Sequence, residues 1–294
     1  LADTIERAIT NDGAIRVFAA STTGLVEEAR KIHDLFPTAA AALGRVLTAG
    51  AMMGAMLKGE KDTVTIQFDG GGPIGKVLAV ANSKAEVKGY VGNPHVDLPL
   101  NKNNKLDVGG AVGTGGYLSI IRDFGLKEPY IGRVKIQSGE IAEDLTYYFA
   151  RSEQIPSAVS LGVLVDRDYS IKAAGGFIIQ MMPEATEAHI SAIEKVISEI
   201  PSISHMISEG YTPKMIIEKL LSEFEIEYLS QMECKYHCDC TVERIERALV
   251  SLGKEELEKI INEDKSAEVV CHFCNKKYQF GEDELKALLD RAIR

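Results

Sequence analysis

Cysteine is missing from the first 233 residues of this 294-residue sequence; all five cysteines fall between positions 234 and 274. A disulfide framework is therefore excluded for most of the chain. No apolar, signal-like segment opens the sequence either, so the thiols are expected to face a reducing, cytoplasmic setting. An excess of basic charge is also lacking. The formal net charge is −10, which argues against a general nucleic-acid binder. Residues 232–294, where the cysteines cluster, hold 11 Lys/Arg against 14 Asp/Glu, leaving no basic face for DNA or RNA. Long apolar runs are scarce. Only Pro37 to Leu57 is almost wholly apolar, and it carries Arg45 near its middle and Ala and Gly throughout. Its Gly50-x-x-x-Gly54 spacing occurs at transmembrane contacts, but small residues equally let a buried helix approach a sheet. The expectation is a buried helix and no membrane partner. A catalytic constellation is absent too. His33 and His95 stand alone, and Gly70–Gly75 lacks the Lys-Ser/Thr pair of a phosphate loop, so it reads as a turn. No enzyme activity is expected.

What is present is concentrated near the C-terminus. Cys238-Asp239-Cys240 is followed by thirty residues and then by Cys271-His272-Phe273-Cys274. Two close cysteine pairs across a spacer suit a four-thiolate zinc site, because a tetrahedral ion needs two knuckles to close around it. Cys234 could instead form a C-x3-C knuckle with Cys238, or be a spare thiol, and His237 and His272 could substitute as ligands. The spacer reads as a folded module. Thr241 caps a helix with apolar positions Val242, Ile245, Leu249 and Leu252, and Gly253 ends it. Leu257, Ile260 and Ile261 mark a second helix. Ala267 to Val270 and the Tyr278–Phe280 region read as strands, and Glu284 to Ala292 as a closing helix. About sixty residues build too small a core to be robust alone, whereas thiolate-bound zinc can supply ~10–16 kcal/mol in such peptides. Thiolates are also the oxidisable form of cysteine, and neighbours two or three apart can form disulfides without distant chain movement. The cluster is thus either a plain structural site or a redox switch.

The fold class expected upstream is α+β. An N-terminal domain (1–182) has strands at Ala14–Ala20, Thr63–Phe68, Lys76–Ala81, Glu86–Val91, Tyr117–Arg122, Tyr130–Gln137, Ser157–Val165 and Ser170–Gln180. Helices are expected at Thr23–Leu35, Pro37–Leu57 and Glu140–Arg151. Turn residues between successive strands point to an antiparallel sheet around the buried central helix. A helical linker (183–231) follows Pro183. It has one stripe at Ile190, Ile193, Val196, Ile197 and Ile200 and another at Met215, Ile216, Leu220 and Phe224. Glu225 to Cys238 runs extended into the small C-terminal zinc-binding domain (232–294). The linker's apolar face must rest on the first domain or on the zinc module. If its support melted, the exposed stripe would bind other chains.

The C-x-C and C-x-x-C pairs in this context resemble the redox-regulated 33 kDa chaperonin family. So do Ala39-Ala40-Ala41-Ala42-Leu43-Gly44-Arg45, Gly70-Gly71-Gly72-Pro73-Ile74-Gly75, Ala173-Ala174-Gly175-Gly176-Phe177 and Val270-Cys271-His272-Phe273-Cys274. The resemblance implies a cytoplasmic, ATP-independent holdase chaperone of the stress response. Reduced, it would be inactive with one Zn²⁺ on Cys238, Cys240, Cys271 and Cys274. Oxidised, it would lose zinc, pair Cys238 with Cys240 and Cys271 with Cys274, form a homodimer and hold unfolding client proteins. Cys234 is outside that motif. Two rivals differ in class: a zinc-ribbon nucleic-acid module, and a thiol–disulfide oxidoreductase using Cys271 and Cys274, whose motif would normally open a helix beside a βαβ sheet.

Overall fold

The computed structural model describes residues 2–292, and the chain separates into two units between His237 and Cys238. In chain order the first unit comprises β1 (Thr4–Thr10), β2 (Ile15–Ser21), α1 (Thr23–His33), α2 (Pro37–Gly54), β3 (Thr63–Asp69), β4 (Val77–Asn82) and β5 (Glu86–Val91). It continues with α3 (Val108–Val112), β6 (Tyr117–Asp123), β7 (Tyr130–Lys135) and α4 (Ala142–Tyr148), which widens into a π turn at Phe149–Glu153. β8 (Ser157–Val165), β9 (Ile171–Met181), α5 (Glu187–Glu199), α6 (Ile203–Ser208), α7 (Pro213–Leu220), β10 (Ile226–Glu233) and β11 (Lys235–Tyr236) complete it. One sheet has the order β10-β1-β2-β9-β8, antiparallel throughout. The other has the order β11-β5-β4-β3-β6-β7, antiparallel except where β11 joins β5 in parallel.

The apolar run at 37–54 becomes α2, and its place explains its composition. Pro37 opens it at a position where a missing N–H costs nothing. Every other residue except Arg45 is buried. The helix packs against β4 and β5 on one side and β8 and β9 on the other, so it fills the space between the sheets and needs an apolar surface all round. A Cβ on Gly44 would lie 2.6 Å from Val26 Cγ1 and 2.9 Å from Val163 Cγ2. The glycine therefore sets how closely α1 and β8 approach the helix. Arg45 reaches the margin and pairs with Glu140 at 2.7 Å.

The far face of the first sheet carries a second core. Ile193 of α5, Ile203 and Met206 of α6, and Ile216, Ile217 and Leu220 of α7 pack with Ala8, Val17, Ala19, Phe177 and Ile179. The apolar face of the 183–231 segment thus rests on this sheet. Its stripe on α7 is Ile216, Ile217 and Leu220, while Met215, expected to belong to it, is 43% exposed. β9 is sandwiched between two cores. A side chain at Gly175 would collide with the Ala20 carbonyl oxygen and Ile207 Cδ1, so the paired glycines provide close packing. The chain then returns: β10 adds to the β1 edge and β11 to the β5 edge.

β1 was not anticipated. Its adjacent Glu6 and Arg7 interrupt apolar alternation, yet Glu6 is 6% exposed and the Arg7 guanidinium lies 5.2 Å from the Phe18 ring centroid. The long stem of arginine can cover an aromatic face in a strand that looks polar by residue type.

The second unit holds α8 (Val242–Val250), α9 (Lys254–Glu263), the hairpin of β12 (Ser266–Val270) and β13 (Lys277–Gly281), and α10 (Glu282–Ala292). Its core among the described residues is small: Leu249, Leu257, Ile261, Cys271, Tyr278, Phe280, Leu285 and Leu288. The helical stripe is narrower than expected, since Val242 and Leu252 are 46% and 52% exposed.

Candidate metal centre

Two turns bring the thiols together. Cys238 and Cys240 lie in the segment entering α8, which Thr241 starts by accepting from the Arg244 N–H at 3.3 Å. Asp239, between the two cysteines, points outward to Arg244 at 2.6 Å. Cys271 follows β12 in a tight knuckle. Its carbonyl accepts from Cys274 N–H at 3.3 Å and Asn275 N–H at 2.8 Å, and its own N–H donates to Lys276 O at 3.0 Å. Asn275 has φ +56°, a left-handed conformation that asparagine tolerates.

The result is a four-sulfur cluster whose Sγ atoms all lie within 4.8 Å of one another. Cys238 and Cys271 Sγ are 3.7 Å apart, and Cys240 and Cys274 Sγ 3.3 Å. A tetrahedral ion with Zn–S near 2.3 Å sets sulfurs roughly 3.8 Å apart, so this donor set fits a soft divalent ion in size and chemistry. Neither His237 nor His272 belongs to the group. Cys234 lies in the first unit, 5% exposed, with Sγ 3.7 Å from Ser21 O.

Sequence reasoning missed Tyr278. On β13 its hydroxyl is 3.1 Å from both the carbonyl oxygen and Sγ of Cys240. The signal was present in the alternation of Tyr278 and Phe280, which put both rings on the buried face of the hairpin. Burial pushes the Cys238 and Cys274 thiols up. Burial acts the same way on Cys240, but the Tyr278 hydroxyl and the neighbouring thiols outweigh it and bring that group down to about 7. Burial, then the Asp3 carboxylate, push Cys234 up, keeping it a neutral thiol at physiological pH. The Cys271–Cys274 knuckle joins two strands and opens no helix, unlike the arrangement that activates a redox-enzyme C-x-x-C. His33 and His95 contact Tyr236 Oη and Asp34 Oδ2, each at 3.1 Å.

Fold and cluster define a two-part protein: an α2-centred double-sheet platform and a small module built around four thiols. The family model described as Hsp33 protein matches residues 3–281. The 33 kDa chaperonin of Clostridium perfringens (strain 13 / Type A) is 55% identical over 291 residues, covering 99% of this chain and 91% of that protein. The one from Clostridium beijerinckii is 53% identical, covering 99% of each. The crystal structure of the 33 kDa chaperonin (heat shock protein 33 homolog) from Thermotoga maritima matches with a TM-score of 0.90 at 42% identity, covering 100% of this chain and 99% of that one. The chain belongs to the Hsp33 family, and the names of its relatives support a chaperone function. No helix among the described residues is long and apolar enough to cross a membrane.

Proposed function

We propose that the protein is a cytoplasmic, ATP-independent holdase of the stress response, switched by oxidation. In the reduced state Cys238, Cys240, Cys271 and Cys274 would hold one Zn²⁺ as thiolates. The observation that carries this reading is the four-sulfur cluster at the centre of a unit with only a small apolar core. Bound zinc supplies the folding free energy that such a core lacks.

Oxidation by a peroxide would convert each pair of thiolates into a disulfide; the pair's two electrons, with two protons from solvent, reduce the peroxide to water, and Zn²⁺ leaves once its thiolate ligands are gone. Distances in the folded cluster do not choose the pairing, since the short contacts at 3.7 and 3.3 Å cross between knuckles. If the module unfolds as it oxidises, separated knuckles are entropically costly to rejoin and chain neighbours remain in reach. Cys238–Cys240 and Cys271–Cys274 are then the products.

The signal passes along the chain. The 183–231 helices rest on the first sheet, so melting the thiol module does not itself uncover them. Cys238 follows β11 by two residues, and β11 holds β5 through the Lys235–Glu86 and Tyr236–Val87 pairs. With the module unfolded, the chain beyond β11 is loose, and that two-residue strand and the exposed β10 are the elements next to it in the chain. Their release removes the edge beside β1 and loosens the cover formed by α5–α7. The uncovered apolar surface would bind unfolding proteins and a second copy of the chain; no nucleic acid is needed.

The test combines zinc release with light scattering of a thermally unfolding client, for reduced and peroxide-treated protein under mild warming. The expected result is one zinc released per chain and suppression of aggregation by the oxidised form alone. Retained zinc, or zinc loss without any change in aggregation, sinks the proposal.

A further inference from the structure

Three of the four sheet edges in the first unit carry charge within the strand itself: Glu227 and Glu233 on β10, Arg133 and Lys135 on β7, and Lys235 on β11. Such residues discourage strand addition by other chains. β8, the fourth edge, reads Ser157-Ala-Val-Ser-Leu-Gly-Val-Leu-Val165, nine residues with no charge and no proline. The start of this edge is closed, because the Val159 N–H donates to Thr146 Oγ1 at 3.2 Å. The Leu161 and Val163 N–H groups, two and four residues on, point the same way out of the sheet. There the edge borders a cavity of about 540 Å³.

Three elements wall that cavity. Ala41 and Arg45 of α2 lie on one side with Leu106, and Ser202 and Ser204 at the start of α6 on the other. Leu100 and Tyr169, 52% and 49% exposed, stand at its margin. Arg45 is already paired with Glu140, so the bordering cations left for a ligand are Lys105 and Arg167, against one carboxylate, Asp166. The slot follows six consecutive strand residues, Ser160–Val165, or about 20 Å of extended chain.

We propose that this slot accepts an extended segment of an unfolding client as an added strand on β8. Main-chain donors repeating at every second residue complement another main chain whatever its side chains. That suits a binder of unrelated sequences, and the proposal rests on the holdase reading. Apolar lining favours alternate apolar residues in the bound segment, and the excess of cations favours one carrying an acidic residue. The slot belongs to the first unit, so it is formed in both redox states; alone it holds only a short segment, and holding a whole unfolding protein also needs the apolar surface that oxidation uncovers.

A short fluorescein-labelled peptide alternating valine and threonine with one glutamate would be titrated into full-length, reduced, zinc-loaded protein and followed by anisotropy. Amide exchange at Leu161 and Val163 would be read in parallel. Binding with new protection of both amides is expected. N-methylating the peptide nitrogens in the pairing register should weaken binding roughly tenfold, whereas the other register should not. Lys105→Glu with Arg167→Glu should weaken binding several-fold with zinc content and melting temperature retained. The assignment is overturned by no binding, by binding that leaves Leu161 and Val163 unprotected, or by protection that grows with protein concentration without peptide, which would make β8 a contact between copies. Oxidant-induced suppression of aggregation is read separately, so the slot can fail while the switch stands, and the reverse.

Discussion

The two units reach stability by different routes. In the first, α2 is enclosed by two sheets, and a second apolar layer covers the outer face of one of them. In the second, the described core is eight residues, one of them Cys271. Burial contributes in proportion to area removed from water, so the first unit can stand on apolar packing while the second has far less of it, and on the proposed reading zinc makes up the difference. A single chain can thus keep one part folded while another is conditional. A chemical signal then needs to reach only the conditional part.

The largest expected effect tests that contrast directly. Removing metal with a chelator, or replacing Cys240 with Ser, should unfold residues 238–292 and leave the first unit intact. Amide exchange would report complete loss of protection in the hairpin β12–β13 and unchanged protection in α2. Equal loss in both units would erase the distinction. Next comes Leu47→Ala in α2, fully buried at 0% exposure. It should destabilise the first unit by about 2–5 kcal/mol, measured by denaturant unfolding, without altering zinc affinity.

Tyr278→Phe is a finer probe of the thiol module. It keeps the ring in the core and deletes the hydroxyl beside Cys240. Loss of a hydrogen bond to a metal-binding thiolate should lower zinc affinity roughly 10-fold, read by competition with a chromogenic chelator, with little change in the first unit. The smallest effect concerns acid stability of the first unit. The Arg30 guanidinium, with the Ile171 N–H and Lys31, holds Glu27 at about 2, against an ordinary 4.5, despite the opposing effect of burial. A depressed folded-state pKa adds stability above pH 4.5 that disappears as pH falls through about 2. Glu27→Gln should therefore flatten the decline in melting temperature across that window. An unchanged slope would remove Glu27 from the account.

Legibility in the sequence followed the physics of each element. Positions that repeat a period or sit at a fixed spacing were readable. The Ala- and Gly-rich run 37–57 announced a helix buried all round, the strands from Thr63 to Val91 announced a meander, and C-x-C with C-x-x-C announced two knuckles. Positions whose environment comes from distant residues were not. β1 was hidden because Glu6 and Arg7 look solvated until Phe18 and the returning β10 surround them. Tyr278 was recognised as a strand residue, but its hydroxyl acquired a role only when the hairpin placed it against Cys240.

By itself the sequence determined most of the element types and the thiol cluster as a candidate zinc site, because local period and residue chemistry are properties of neighbours in the chain. It left two resting places open for the apolar face of residues 183–231. Tertiary structure decided in favour of the first sheet, where Gly175 lets Ile207 approach and Ala8, Val17 and Phe177 form the complementary surface. Tertiary structure also decided that β8 would be an uncharged edge beside a cavity. Which face is covered and which strand ends a sheet depend on contacts between residues far apart in the chain, and no local pattern encodes them.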